Sequence, residues 1–359
     1  MRWYPVGKGN MRMDVSDLET PAVLIDCDRM ERNIAVMQAR CDSLGIAFRP
    51  HIKTHKIPAI ARLQIQAGAS GIACQKVSEA EVFADAGFDN IQLPYNIVGP
   101  QKTARLASLA GRCQISVSVD DEAVVIGLAE AAQAAGVKIE VLVELATDLL
   151  RTGTSPENAV RLARQIDSTS ALHFAGVLVY PSHPANRPTL LEALDRLQRS
   201  GISVQMVSGG GTIAALSAHE VPELTELRVG TYIFNDWTTV QKSAASLDDC
   251  AMQVLATVVS RPVSERAILD CGSKTLAADQ LDGQYGYILE YPQARIVKLS
   301  EEHAHVDLNN CDQRPHIGEQ VHVIPVHTCV VTNLADRLFG VRGNNVEVEW
   351  QVAARGKVW

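Results

Sequence analysis

The stretch "GIAFRPHIKTHK", residues 45–56, joins a short apolar run to a cluster of histidine and lysine side chains. The apolar run predicts a buried β-strand, and His51, Lys53, His55 and Lys56 follow at its end. A solvated strand end is the simplest explanation for such a cluster. The alternative is that a lysine amine takes part in chemistry at this position, and the surrounding sequence helps to distinguish the two.

The same stretch opens the first of eight similar units between residues 46 and 235. Short runs rich in Val and Ile alternate with Ala- and Leu-rich helical patterns, several of which begin at Ser or Asp and end at Gly. Eight such units predict an α/β fold with a closed parallel (β/α)8, TIM-like barrel, the alternative being a doubly wound sheet. The predicted strands are "IAFRPHIK", "GIACQK", "IQLPY", "QISVSVD", "KIEVLVEL", "FAGVLVY", "VQMVSGGG" and "LRVGTYIF".

A second pattern begins after about residue 245, where apolar and polar residues alternate with period two and helical signals become scarce. This alternation predicts a mostly antiparallel β domain. We therefore assign residues 20–245 to the barrel and residues 246–359, together with 1–19, to the β domain. The early run "PAVLID", residues 21–26, is a candidate to pair with the C-terminal strands.

Composition limits the possible partners. The 359 residues are 47% hydrophobic, which supports a large core, and the formal net charge is −8, which argues against nucleic acid and anionic membranes. The N-terminal stretch is too polar for a signal peptide, and no apolar run is long enough to span a bilayer. The eight cysteines are scattered singly, without a CxxC pair. These features predict a cytoplasmic protein that acts on a small molecule.

A phosphate-binding motif is predicted at the carboxyl end of the barrel, where such folds place their active sites. The turn "SGGGT", residues 208–212, follows the seventh predicted strand, and Tyr232 falls in the eighth. A glycine-rich turn exposes N–H groups that can bind an anion, although it can also serve only as a tight turn. Because Lys53 is expected at the same end of the barrel, we predict pyridoxal 5′-phosphate (PLP), a phosphate-bearing cofactor that condenses with an amine.

The sequence resembles the D-threonine aldolase and eukaryotic-type D-serine dehydratase family, whose members share the alanine racemase-like fold (PLP fold type III). The resemblance extends over nearly the whole chain, and "RPHIKTHK" is its most specific motif. The other matching motifs are "TPAVLID", "ACQKVSEAEVFADAG", "RTG", "SGGGT", "GTYIFND", "LDCGSK" and "HTC".

This resemblance implies roles for individual residues. Lys53 would bind the cofactor covalently, Arg151 would face the pyridine nitrogen, Tyr180 would lie beside the ring, and His55 would act as a catalytic base. A guanidinium stays charged at neutral pH, so Arg151 would leave the ring a weak electron sink that benefits from a second electrophile. A homodimer is also implied. The remaining cofactor-binding candidates are Gln75, Ser208, Gly210, Gly211, Thr212 and Tyr232.

The segment "PVHTCVV", residues 325–331, contains a candidate metal site. His327 and Cys329 lie two residues apart on a predicted strand, so their side chains would share one face. From the pattern alone, a histidine and a core cysteine on a strand are the simpler explanation. The family carries His-x-Asp or His-x-Cys here, which implies a divalent metal held over the substrate's β-hydroxyl. The thiolate favours zinc, with manganese, cobalt or magnesium as alternatives.

The implied activity is that of a lyase for D-β-hydroxy-α-amino acids. We predict retro-aldol cleavage of D-threonine-type substrates to glycine and an aldehyde. The alternative is a dehydratase of D-serine, D-threonine or 3-hydroxy-D-aspartate, which yields an oxo acid and ammonia; in this family the Cys version of the metal motif often accompanies dehydration. An amino-acid racemase and a non-enzymatic PLP carrier are less compatible with the motifs.

Overall fold

A computed structural model of the protein describes residues 13–359. The described chain divides into two compact units. The barrel unit comprises residues 37–53, 60–230 and 357–359, and the β unit comprises residues 13–36, 54–59 and 231–356. No helix among the described residues is long and apolar enough to cross a membrane.

Eighteen strands are named here in chain order. They are β1 Met13–Asp14, β2 Ala22–Asp26, β3 Ala47–Phe48, β4 Ile72–Ala73, β5 Asn90–Leu93, β6 Gln114–Val119, β7 Ile139–Leu145, β8 Leu172–Val179, β9 Met206–Gly210, β10 Glu226–Arg228, β11 Met252–Val263, β12 Arg266–Leu269, β13 Gly286–Ile288, β14 Arg295–Leu299, β15 Ala304–Asp307, β16 Gln320–Pro325, β17 Arg337–Arg342 and β18 Asn345–Gln351.

The α-helices are named in the same way. They are α1 Cys27–Leu44, α2 Pro58–Gln66, α3 Val77–Asp85, α4 Pro100–Ala110, α5 Glu122–Ala135, α6 Pro156–Asp167, α7 Arg187–Arg199, α8 Trp237–Gln241, α9 Ser273–Leu276 and α10 Thr328–Leu334.

The barrel unit contains one eight-stranded parallel sheet in the order β3-β10-β9-β8-β7-β6-β5-β4. A parallel bridge between His51 and Ala73 links the chain after β3 to β4, so the two ends of this order are joined. The helix caps follow the sequence signals: the Asp121 side chain accepts the Ala123 N–H at the start of α5, and Gly136 ends that helix with φ 65°. The predicted TIM-like barrel of eight parallel strands is confirmed.

Short strands replace the long ones predicted at the two ends of the barrel sequence. "IAFRPHIK" forms only the two-residue strand β3, and a 3₁₀-helix, Ile52–Thr54, follows it. "LRVGTYIF" likewise ends its strand at Arg228, and Thr231–Ile233 is a 3₁₀-helix. Lys53 and Tyr232 therefore lie on single helical turns beyond their strands.

The β unit is built on one ten-stranded sheet that is antiparallel except where β17 runs parallel to β2. Strand β2 pairs with β11, with Val23 opposite Val254 and Ile25 opposite Met252. The early run "PAVLID" therefore pairs with C-terminal strands, as the sequence suggested. The mostly antiparallel β domain is confirmed, while the first twelve residues assigned to it lie outside the described residues.

The bounds of the units differ from the predicted 20–245 and 246–359 (with 1–19) because contacts between segments distant in sequence draw three segments into the β unit. The first is residues 13–36, which carry β2. The second is residues 54–59, in which the carbonyl of Lys56 accepts the Ala354 N–H. The third is residues 231–245, where Thr238 donates to the carbonyl of Val326.

Candidate active site

Lys53 is held at the carboxyl end of β3 by contacts of its backbone. Its N–H donates to Nδ1 of the buried His51 at 3.4 Å. With its lone pair on Nδ1 engaged, the neutral His51 ring carries its proton on Nε2, which donates to Oε1 of Gln75 at 3.0 Å. Gln75 thus supports the turn that carries Lys53.

The two lysines of "RPHIKTHK" are in different situations. Lys53 is partly exposed, and its amine has no hydrogen bond or ion pair with any described residue. Lys56 is buried, has φ 55°, and donates from Nζ to the carbonyl of Ala354. An amine without a protein partner is the better one to bind a carbonyl compound.

An aromatic ring and a cation lie together at the ends of the barrel strands. The guanidinium carbon of the exposed Arg151 lies 4.9 Å from the centroid of the Tyr180 ring. The same ring packs on the glycine turn, because a Cβ built on Gly210 would lie 3.1 Å from Cδ2 of Tyr180 and one on Gly211 would lie 3.8 Å from Cε2. Arg151, Tyr180 and the glycine turn are therefore neighbours, as the resemblance implies.

The glycine turn offers hydrogen-bond donors. Gly211 has φ 112°, a conformation that strongly favours glycine. After it, the backbone N–H groups of Thr212 and Ile213 have no acceptor among the described residues. Thr212 is only partly buried, so these donors are accessible to an anion.

Ser208 belongs to a different environment from the rest of its motif. It is fully buried in the barrel interior, where its hydroxyl donates to Oε1 of Glu226 at 2.7 Å and accepts from Nε of Arg228 at 2.8 Å. Glu226 also pairs with Arg49 at 2.6 Å. Burial lowers the pKa of Arg228 to about 10, with the Glu226 carboxylate opposing that effect. The Ser208 hydroxyl is thus committed to a structural network.

The β unit holds the remaining candidates, beginning with Tyr232, which is buried. His55 is also fully buried, and its Nδ1 accepts the Ile57 N–H at 3.1 Å. The neutral His55 ring therefore carries its proton on Nε2.

The predicted strand through the metal motif is wrong. Strand β16 ends at Pro325, and His327 is the residue before α10, so His327 and Cys329 do not alternate on one strand. The side chains nevertheless meet, because a hydrogen bond joins His327 and Cys329. The helix starts here because the buried Asp236 carboxylate accepts the Thr328 N–H, at 3.4 Å.

His327 and Cys329 have partners that the sequence did not indicate. Nδ1 of His327 donates to Oδ2 of Asp279 at 2.8 Å, and Sγ of Cys329 lies 3.2 Å from Oγ1 of Thr54. The hydrogen bond with Cys329, more than that with Asp279, raises the pKa of His327 to about 9 although burial opposes it. Thr54 lies inside the lysine motif, whereas no sequence signal marked Asp279.

Two family models match consecutive parts of the chain. The model of the alanine racemase N-terminal domain matches residues 25–236, and that of a putative serine dehydratase domain matches residues 251–341. A D-threonine aldolase of Arthrobacter sp. is 34% identical over 94% of this chain and 93% of its own length. A D-threo-3-hydroxyaspartate dehydratase of Delftia sp. is 30% identical over 87% of this chain and 91% of its own length.

Among solved structures, the crystal structure of D-threonine aldolase from Filomicrobium marinum matches with a TM-score of 0.88 and 33% identity, covering 98% of this chain and 100% of that one. The fold is therefore that of the alanine racemase-like proteins. Within that class, the chain belongs to the D-threonine aldolase and D-serine dehydratase family, which is a family of lyases.

Proposed function

We propose that the protein is a PLP- and divalent-metal-dependent lyase that cleaves D-threonine-type substrates, D-β-hydroxy-α-amino acids, to glycine and an aldehyde. The observation that carries the proposal is the amine of Lys53, which has no partner among residues 13–359 and lies on a turn at the carboxyl end of the barrel. The chain matches nearly the full length of two proteins named as D-threonine aldolases, and this similarity supports the choice of substrate.

The barrel unit fits the cofactor chemically. Lys53 offers an amine, the N–H groups of Thr212 and Ile213 suit a phosphate, and the Tyr180 ring offers an aromatic face. Arg151 offers a cation that stays protonated beside that ring. These four features are the ones that a phosphorylated pyridine aldehyde needs.

His327 and Cys329 fit a divalent metal. Nδ1 of His327 is occupied by Asp279, which leaves Nε2 as the nitrogen that can ligate, and Cys329 supplies a sulfur. Among residues 13–359, no three His, Cys, Asp or Glu side chains are grouped as a metal site. An ion on these two ligands would keep positions open for water and substrate, as catalytic sites do. The thiolate favours zinc over manganese, cobalt or magnesium.

The chain's own groups would divide the work. When bound, pyridoxal phosphate withdraws electrons from the substrate's α-carbon, and a divalent metal polarises an oxygen. Lys53 anchors the cofactor by its amine. Arg151 presents a positive charge, which would disfavour protonation of a pyridine nitrogen placed beside it. Ser208 keeps the strand below the glycine turn in place through Glu226 and Arg228.

Product analysis tests the proposal. The protein, loaded with PLP and zinc or manganese, is incubated with D-threonine, and the products are identified by chromatography. We expect glycine and acetaldehyde in equal amounts, and a loss of that activity after exhaustive chelation. Epimerised threonine as the main product, or full activity in protein confirmed to be metal-free, would contradict the proposal.

Dehydration is the second candidate, and Cys329 favours it. Retro-aldol cleavage needs a base that takes the proton of the β-hydroxyl, whereas dehydration needs a proton for the departing oxygen. Cys329 stands where the family carries either Asp or Cys, and in this family the Cys form often accompanies dehydration. The same product analysis would then give 2-oxobutanoate and ammonia. The Delftia relative is named for a dehydratase reaction.

The predicted homodimer and cytoplasmic location belong to this proposal and stay predictions. The oligomeric state is measured by sedimentation equilibrium of the PLP-loaded protein.

A further inference from the structure

We propose that Asp279 is a positioning residue for the metal site. Its carboxylate would fix the ring of His327 in the orientation of a metal ligand, in a carboxylate–histidine–metal arrangement. This inference rests on the proposed function, because it assigns a role to Asp279 at the His327–Cys329 pair. Metal-binding histidines commonly donate their second ring nitrogen to a carboxylate, which sets the tautomer and increases the basicity of the ligating nitrogen.

The geometry of Asp279 matches that role. Its Oδ2 accepts from Nδ1 of His327 at 2.8 Å, and a carboxylate can only accept here. A histidine must be neutral to ligate a metal, and in that form the ring of His327 holds its proton on Nδ1 and has its lone pair on Nε2. Sγ of Cys329, the other candidate ligand, lies 3.2 Å from Oγ1 of Thr54. Among the described residues, Asp279, His327 and Cys329 are not grouped closely enough to hold one metal ion together, so Asp279 is not itself assigned as a ligand.

The backbone before Asp279 supports a specific placement. Ala277 ends α9 with φ 66° and ψ 177°, a combination that is rare outside glycine, and it is buried. Helix α9 packs against α10, the helix that carries Cys329. The chain thus accepts an unfavourable backbone conformation two residues before the carboxylate that reaches His327. Such strain persists where the surrounding structure requires it.

The chain offers a matched control in the same unit. His322 on β16 also uses Nδ1 to contact a carboxylate, that of Glu290, at 2.6 Å. This pair has the same chemistry and a similar partial exposure but is not part of the metal motif. Glu290→Gln therefore reports the general effect of removing a histidine–carboxylate contact from the β unit.

The test measures metal affinity rather than turnover. Zinc binding to the PLP-loaded protein is titrated against a chromogenic chelator for the wild type, Asp279→Asn, Asp279→Ala and Glu290→Gln. We expect both Asp279 variants to bind zinc about 10–100-fold more weakly, and Glu290→Gln to bind as the wild type does. Cobalt-loaded Asp279→Asn should keep the thiolate-to-cobalt absorption band of Cys329, while the cobalt is lost at lower chelator concentrations.

The outcomes separate this inference from the proposed function. Asp279 variants that fold, judged by thermal unfolding, and bind zinc as tightly as the wild type would overturn the role of Asp279 alone. Equal weakening by Glu290→Gln would also overturn it, since the effect would then be general. A wild type that binds no zinc, cobalt or manganese would overturn the metal role itself, together with this inference.

Discussion

Nε of Arg228 donates to Oγ of Ser208 at 2.8 Å inside the barrel, and the same hydroxyl donates to Glu226. Ser208→Ala would therefore remove a partner from two buried charged groups. We expect a loss of about 1–3 kcal/mol in the free energy of unfolding, with the affinity for PLP nearly unchanged. Urea unfolding and PLP titration measure the two quantities.

A matched control for that variant is Ser168→Ala, because Ser168 is exposed and its hydroxyl has, among the residues that the structure describes, a single hydrogen bond, to the nearby carbonyl of Gln165. Its stability should stay within about 0.5 kcal/mol of the wild type. If Ser208→Ala were as stable as the wild type but released PLP readily, Ser208 would contact the phosphate, as the sequence first suggested.

The second prediction concerns the two lysines of the first unit. Lys53→Ala should lose the yellow absorption of the bound cofactor, because the Lys53 amine, unlike that of Lys56, has no partner in the described part of the chain. Lys56→Asn should keep that absorption, since Lys56 donates to the carbonyl of Ala354 and asparagine tolerates its φ of 55°. Absorbance spectra of the purified variants after incubation with PLP give the answer. The reverse result would place the cofactor on Lys56.

The third prediction concerns the close approach of the glycine turn to its neighbours. A Cβ on Gly210 would lie 2.8 Å from the carbonyl oxygen of Arg228 and 3.1 Å from the Tyr180 ring. Gly210→Ala should therefore displace the turn and weaken PLP binding by about tenfold or more, equivalent to about 1.4 kcal/mol. Gly127→Ala is the control, because a Cβ there meets nothing within 4 Å. Equal PLP affinity in the two variants would refute this prediction.

The fourth prediction changes the metal ligand. Cys329→Asp replaces a soft sulfur by a hard oxygen, so the preference for zinc over manganese should decrease. Competitive titration of the two ions measures that ratio. Cys113→Ala serves as a control, since the one hydrogen bond of the Cys113 sulfur within residues 13–359 is to the carbonyl of Leu109. An unchanged zinc-to-manganese ratio in Cys329→Asp would mean that the sulfur is not a ligand.

The sequence predicted the barrel well because its signals are local. Valine-rich runs, Asp and Ser caps and terminal glycines lie within a few residues of the elements that they define, as at Asp121 and Gly136. The lysine and the glycine turn were found for the same reason, since each is a short motif next to a strand. The eight parallel strands followed from counting these units.

The metal motif shows where local signals fail. "HTCVV" is rich in residues that favour strands, yet α10 begins at Thr328, whose N–H is satisfied by Asp236, 92 residues earlier. Asp279 reaches His327 across 48 residues. Ser208 likewise precedes the glycines of its motif in the sequence, but its hydroxyl forms hydrogen bonds with Glu226 and Arg228. Contacts between distant segments decide these cases, and no short pattern encodes them.

The division of the chain at residues 54–59 has a practical consequence for dissecting the enzyme. A continuous fragment that contains the whole barrel must include this hexapeptide, which belongs to the other unit and contains the fully buried His55 and the almost fully buried Ile57. Expressed without the β unit, such a fragment would expose to water the side chains of His55 and Ile57, which are buried in the whole chain. Lys53 is therefore best studied in the whole chain, and engineering of the barrel has to keep the β unit with it.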